Sequence, residues 1–247
     1  DAHSVSFLSL IKVRIAGDGV NYLTPSGTIA GELIRPGMLD STVPEEIKNS
    51  SVVVAKFSQA MAQALFIFLG LIFVLQGRLN LLRGGQRALG IAIALLVITL
   101  VAVALWLLTA ENRGIPAFFD RFQGLQGLRA QIRGYLQRHP GRYAASIVCF
   151  MLGYAWGAVE GMLICYLMKV PMTFITALAI EIMSNVVDSL MFMVPANMGT
   201  QEAGKTAIFH GLGYAGSQGL AFGLIRHMRE FCWASLGLAL YALNRRA

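Results

Sequence analysis

Charged side chains are scarce in this sequence. Asp, Glu, Lys and Arg make up 13% of the 247 residues, whereas a soluble globular domain has about 25%. Hydrophobic residues make up 56% of the chain instead. This balance argues against a soluble fold. In such a chain the net charge of +7 is more typical of loops that face anionic lipid than of a nucleic-acid-binding surface, so we expect no nucleic acid among the partners.

Arrangements that bind metals or activate nucleophiles are also missing. The three cysteines, Cys149, Cys165 and Cys232, lie in apolar stretches and have no CxxC spacing, which is typical of small apolar filler. The two histidines within apolar stretches, His210 and His227, are far apart, and no HExxH sequence occurs. The sequence therefore predicts no metal, no cofactor and no catalytic residue.

Long uncharged runs are what the sequence does contain. A helix that spans a bilayer needs about 20 apolar residues, and the runs 57–76 and 88–110 have no charged residue at all. Three further apolar runs, at 143–168, 172–194 and 219–243, each carry one or more charged residues. The sequence predicts an all-α fold, a polytopic transmembrane helical bundle with broken or re-entrant helices, formed by the whole chain as a single domain.

Two segments are apolar but cannot form one straight spanning helix. Gly and Pro residues interrupt residues 5–39, and the apolar run within 203–216 is too short to span. Broken and re-entrant helices line binding sites in membrane transporters, where protein or water covers the exposed backbone. For 5–39, an ordinary surface loop before the first span is the alternative.

Acidic and amide side chains lie within the predicted span 172–194. Glu181, Asn185 and Asp188 are spaced i, i+4, i+7, so they share one face of a helix. A charged residue at the bilayer centre costs roughly 2.5–3.5 kcal/mol on insertion scales. This face is therefore expected to point toward the bundle interior or a water-filled cavity.

The last predicted span also carries charges. Arg226 and Glu230 are one helical turn apart, and Arg229 lies beside them. The two arginines are suitable partners for acids on other helices or for an anionic head group. A purely structural ion pair between helices is the alternative for any one of these residues.

A break with polar residues precedes that span. In VPANMGTQEAG (194–204), Pro195 ends a helix, Asn197 and Gly199 lie in the turn, and Glu202 opens a new short helix. The N–H groups at the start of this helix could bind an anion, although Glu202 already occupies the positive end of the helix dipole. A helix hairpin with a capping acid is the other interpretation.

A second break of this kind lies near the start of the chain. In NYLTPSGTIAGELIR (21–35), Asn21 precedes a break at Pro25, and Gly31, Glu32 and Arg35 follow it. Two Gly/Pro breaks that are each followed by a glutamate suggest paired broken helices, which is a transporter feature.

Together the two elements resemble the flippase-like integral membrane family, the family of the transmembrane region of lysylphosphatidylglycerol synthase. Its members have an early Asn, Pro, Gly-Glu and Arg element and a late P-x-x-x-G-x-x-E element, which is followed by a helix with an arginine. The late element and RHMRE (226–230) look closest to the membrane proteins associated with hopanoid biosynthesis. One departure is Ala30, because many members have a glycine there. The family's usual length leads us to expect further spans before Asp1.

The resemblance implies a protein of the bacterial inner membrane that moves an amphiphilic lipid between leaflets, with lipid-biosynthesis enzymes as further partners. Arg35, Arg226 and Arg229 would then attract the head group. An intramembrane enzyme that acts on a lipid head group and a non-transporting scaffold are the alternative functions. The acids that would balance the arginines or carry a coupling proton are Glu32, Asp188 and Glu202.

Overall fold

The structure analysed is a computed structural model. It describes residues 5–24, 30–39, 43–78, 133–191 and 194–244, with the backbone alone at 73–78 and at Pro195. In these ranges every regular element is helical and no strand occurs, which confirms the all-α fold. The predicted span 88–110 and Pro25 lie outside the described residues.

The chain divides into two compact units, and each is described by itself below. Whether they form one transmembrane domain stays a prediction. The first unit comprises Asp1–Val52, Ile164–Val170 and Met183–Ala247, and the second comprises Val53–Leu163 and Pro171–Ile182.

The first unit begins with two short helices, α1 (Phe7–Leu23) and α2 (Ala30–Met38). At the end of α1, the backbone N–H and the hydroxyl of Thr24 both donate to the carbonyl of Val20, at 3.2 and 2.8 Å. These bonds satisfy a carbonyl that the helix leaves open at its end. The segment 5–39 therefore contains two helices and not one.

The third helix, α3 (Glu45–Arg78), begins in the first unit and continues into the second. Glu45 and Glu46 lie in its first turn, where the positive end of the helix dipole favours acidic side chains. The helix covers the predicted span 57–76 and extends well beyond its start.

The second unit is held together by aromatic and small residues. In it, α3 packs against α4 (Pro140–Leu167), with the rings of Phe66 and Tyr154 stacked at 5.7 Å between centroids. A Cβ atom placed on Gly70 of α3 would overlap the end of the Ile182 side chain and lie 2.8 Å from its Cγ1, in α5 (Phe174–Leu190). Close helix contacts at glycine are typical of membrane bundles.

The late part of the first unit is a broken helix. After α5, a single 3₁₀ turn (Pro195–Asn197) leads into α6 (Thr200–Gly211), which is followed by α7 (Gly216–Asn244). Ala196, Asn197 and Gly199 all have positive φ angles, of 52°, 49° and 77°. A helix with the 12 residues of α6 is roughly 18 Å long, too short for a hydrocarbon core of about 30 Å.

Among the described residues, two helices are long and apolar enough to cross a membrane by length and composition, namely Glu45–Ile72 within α3 and Pro140–Leu167. Large apolar side chains on α4 are exposed, and the same holds for α7. Exposed apolar surface of this kind marks membrane or partner contacts. The exposed residues are Val148, Leu152, Trp156, Leu163 and Tyr166 on α4, and Leu224, Met228, Phe231, Trp233 and Leu236 on α7.

The positive φ of Gly199 leads to a stability prediction. We expect Gly199→Ala to lower the free energy of unfolding by about 1–2 kcal/mol, because a Cβ atom is strained in that conformation. Gly211, at the other end of α6, has open space around it and no positive φ. Gly211→Ala is therefore the matched control and should be neutral or stabilising. Equal unfolding curves for the two variants in detergent would contradict the prediction.

Candidate functional site

The site begins where α1 and α7 cross. A Cβ atom placed on Gly19 would lie 2.7 Å from the carbonyl oxygen of Ala234 and 3.0 Å from the Cα of Gly237. One placed on Gly237 would overlap the carbonyl oxygen of Ile15. The two backbones therefore touch directly, as small residues allow in membrane bundles. This crossing brings the early part of the chain against its last helix.

The early element folds back on itself in the same way. Gly31 of α2 lies against the backbone of Gly17 in α1, and its N–H donates to the side-chain carbonyl of Asn21 at 2.6 Å. The hydrogen bond uses one of the open N–H groups at the start of α2. Two residues of the resemblance, Asn21 and Gly31, are thus in direct contact.

Four charged side chains form what we call the early cluster: Arg14, Asp18, Glu32 and Arg35. The guanidinium of Arg35 donates through one nitrogen to Glu32 and through the other to Asp18 at 2.6 Å. Asp18 also accepts from Arg14 at 3.0 Å. Arg35 and Glu32 are buried, whereas Asp18 is exposed. The cluster therefore leads from the interior of the unit to its surface.

Glycines also set the contact between α6 and α7. A Cβ atom placed on Gly219 would lie 2.6 Å from the carbonyl oxygen of Lys205, and one placed on Gly223 would lie 3.2 Å from the Cα of Glu202. The short helix therefore packs directly on the backbone of the long one. This packing aims the polar side of α6 at the charged part of α7.

Glu202 connects the break to α7. One of its carboxylate oxygens accepts from the backbone N–H of Gly199 at 2.9 Å, which caps the start of α6. The other oxygen lies 2.7 Å from Nδ1 of His227. The capping interpretation of Glu202 therefore describes one oxygen, while the second is engaged with another helix.

The charged residues of α7 complete what we call the late cluster: Gln201, Glu202, Arg226, His227, Arg229 and Glu230. The side-chain amide of Gln201 donates to Glu230 at 2.9 Å, and Arg229 lies 3.6 Å from the same carboxylate oxygen. The guanidinium of Arg226 is buried and lies 5.7 Å from the centre of the Phe222 ring, within cation–π range.

The predicted polar face of α5 meets two different environments. Glu181 is buried in the second unit, where Cδ of its carboxyl group would lie 2.6 Å from a Cβ atom on Gly157. In the first unit, Asn185 is buried and the carboxylate of Asp188 lies 3.8 Å from the ammonium of Lys205. Lys205 itself is only 2% exposed.

Tyr22 joins the early and late elements. It follows Asn21 at the end of α1, and its ring meets the imidazole of His227 edge-on, with 6.2 Å between centroids. Tyr22 also lies within electrostatic range of Glu202 and Glu230. The two broken elements that the sequence singled out are therefore neighbours within the first unit.

Three residues of this site, His227, Gln201 and Lys205, were not predicted from the sequence to belong to it. His227 was noted there only as an isolated histidine, yet it is the residue that the structure places against Glu202, the expected partner being Arg226. Gln201 and Lys205, four residues apart on α6, are both buried. That spacing puts them on one helix face, which is a signal that could have found them.

A comparison with protein-family profiles matches residues 2–238 to the family described as Lysylphosphatidylglycerol synthase TM region. The chain belongs to this family. Membership confirms the family that the two broken elements indicated, while the hopanoid-associated branch stays a prediction. Comparisons with curated proteins and with solved structures gave no match. As a member of the lysylphosphatidylglycerol synthase TM-region family whose described residues include two helices able to cross a bilayer, the chain is a membrane protein.

Proposed function

We propose that this chain is a multi-pass protein of the bacterial inner membrane that moves an amphiphilic lipid between the two leaflets. The lipid would be a hopanoid, an aminoacyl-phospholipid or a polyprenyl-linked lipid. Membership of the lysylphosphatidylglycerol synthase TM-region family supports a role with membrane lipids. The two broken helices support a transport role, because breaks of this kind line substrate sites in transporters.

The observation that carries the proposal is the burial of cations in an apolar chain. The described residues of the first unit include four buried cations, of which Lys48 lies outside the site and the other three belong to it. Arg35, Lys205 and Arg226 are 5%, 2% and 7% exposed. A charge removed from water costs several kcal/mol, and a close partner offsets only part of that cost. Charged residues that a membrane protein keeps in its interior at such a cost are therefore candidates for a functional site.

In this proposal the polar clusters receive the head group while the tails stay in lipid. Arg35 and Arg226, with Arg229 at the surface, would bind an anionic or polyhydroxylated head. Glu32, Asp188 and Glu202 would balance these cations when no lipid is bound. The exposed apolar faces of α4 and α7 would face the acyl chains.

The assay that tests the function is transbilayer movement of labelled lipids in liposomes that contain the purified protein. Each of the three lipid classes is offered separately. Movement of one class above that of protein-free vesicles supports translocation. Turnover of the head group would indicate an intramembrane enzyme, an alternative that the word synthase in the family description keeps open. Neither movement nor turnover would indicate a scaffold for lipid-biosynthesis enzymes.

Glu202→Gln tests the site within this function. The change keeps the side-chain shape and removes the charge that faces His227. We expect translocation to fall at least ~10-fold, which corresponds to about 1.4 kcal/mol in the barrier. If Glu202 served only as a helix cap, the substitution would instead lower the free energy of unfolding by about 1 kcal/mol and leave transport almost unchanged.

The matched control is Glu46→Gln, because Glu46 is exposed in the first turn of α3 and outside both clusters. It should leave translocation unchanged. Arg226→Gln should reduce translocation as Glu202→Gln does. Full activity in both Glu202→Gln and Arg226→Gln would remove the late cluster from the proposed site.

A further inference from the structure

Acidic and basic side chains are equal in number in both clusters. The early cluster has Arg14 and Arg35 with Asp18 and Glu32, and the late cluster has Arg226 and Arg229 with Glu202 and Glu230. Beside them, the ammonium of Lys205 lies 3.8 Å from the carboxylate of Asp188. The formal charges of each cluster therefore sum to zero when histidine is neutral.

The late cluster contains one further residue that can carry a charge, His227, in addition to its two arginines and two glutamates. Histidine is the side chain whose charge ordinarily changes between about pH 5 and 8. With a neutral imidazole the late cluster has no net charge, and with an imidazolium it carries one positive charge. The charge that an incoming head group meets therefore depends on the protonation of His227.

The imidazole of His227 lies against a carboxylate. Its Nδ1 is 2.7 Å from a carboxylate oxygen of Glu202, and this is a close charge contact without hydrogen-bond geometry. Uptake of one proton from solution forms an N–H bond at the unprotonated ring nitrogen, breaks no other bond in the protein, and takes the imidazole–carboxylate pair from one negative charge to neutral.

Other groups around His227 do not remove this dependence. Tyr22 faces the imidazole from α1, and its phenol is uncharged near neutral pH. Glu202 faces it from α6. Along α7 itself, Arg226 lies one residue before His227, and Arg229 and Glu230 lie two and three residues after it.

We propose that His227 is the proton-carrying residue of the site and that its protonation raises the affinity for lipids with an anionic head group. The inference rests on the proposed function, because it assumes that the late cluster meets a head group. Release of the proton on the less acidic side of the membrane would then weaken the site and favour release of the lipid. His227 and not an acid would couple the lipid to a proton.

The test is lipid binding to the full chain in nanodiscs, which requires no translocation. Labelled phosphatidylglycerol serves as the anionic probe, and phosphatidylcholine with the same tails serves as the zwitterionic probe. Between about pH 8 and about pH 5.5, we expect phosphatidylglycerol to bind at least ~5-fold more tightly, the lower end of common coupling between sites. Phosphatidylcholine binding should not change. His227→Gln should abolish the pH dependence.

His210→Gln is the matched control, because His210 is exposed at the end of α6, and this variant should keep the pH dependence. A full pH dependence in His227→Gln, or its loss in His210→Gln, would overturn the assignment. If His227→Gln fails to fold, the unchanged protein still provides a test. The assignment of His227 is overturned if the two lipids show the same pH dependence of binding, or if neither shows any. Binding that depends on pH in a protein without lipid movement would contradict the proposed function and leave the role of His227 standing.

Discussion

Replacing Arg35 by Gln is expected to lower the free energy of unfolding by about 3–5 kcal/mol, the usual result of breaking a buried ion pair. Arg35 is 5% exposed, and its guanidinium serves Glu32 and Asp18 at once. Glutamine has no charge and cannot replace both bonds. The buried carboxylate of Glu32 would lose the guanidinium that stabilises it. Unfolding in detergent, followed by circular dichroism, measures the loss.

Arg14→Gln is the control within the same cluster. The pair of Arg14 and Asp18 is partly exposed to the surroundings, and exposed pairs contribute roughly 0–1 kcal/mol. Arg35→Lys should fall between the two, because an ammonium keeps the charge but not the planar fork. The double variant Glu32→Gln with Arg35→Gln should be less unstable than Arg35→Gln alone. Equal losses for Arg14→Gln and Arg35→Gln would show that burial of Arg35 adds nothing.

Local patterns in the sequence were sufficient for the helical architecture. Uncharged runs of about 20 residues such as 57–76 predict helices because a helix satisfies all its backbone hydrogen bonds within the one segment that crosses the lipid. The Gly and Pro residues near Pro195 predict the break that the structure has between Leu190 and Thr200. The start of α3 at Glu45 was not predicted, because its first turns are polar and hydropathy does not detect a helix there.

The partners within the site could not be read in the same way. The sequence indicated Glu202 and Arg226 as opposite charges, but which residue of α7 faces Glu202 depends on the rotation of α6 on α7. That rotation is set by the close backbone contacts at Gly219 and Gly223. The burial of Lys205 has a similar cause, since neighbouring helices cover a side chain that is ordinarily exposed. Contacts between helices are long-range information that periodicity does not contain.

A single methyl group at Gly31 is expected to disrupt the early element. A Cβ atom at this position would overlap the carbonyl oxygen of Gly17 and lie 2.7 Å from the side chain of Asn21. Backbone atoms cannot give way as a flexible side chain does, so α1 and α2 would have to separate. Overpacking of this kind costs about 1–3 kcal/mol or more. The expected result for Gly31→Ala is a loss of stability in that range, measured by unfolding in detergent.

Gly37→Ala is the matched control, because Gly37 lies on the same helix, is exposed, and has open space where its Cβ atom would be. It should be neutral or stabilising by up to about 1 kcal/mol, since alanine favours the helix. Gly31→Ala should also reduce lipid translocation, because separation of the helices moves Arg35 of α2 away from Asp18 of α1. Full translocation by a destabilised Gly31→Ala variant would show that the early cluster stabilises the fold and takes no part in transport. Equal stability of the two alanine variants would instead contradict the direct contact of α1 with α2.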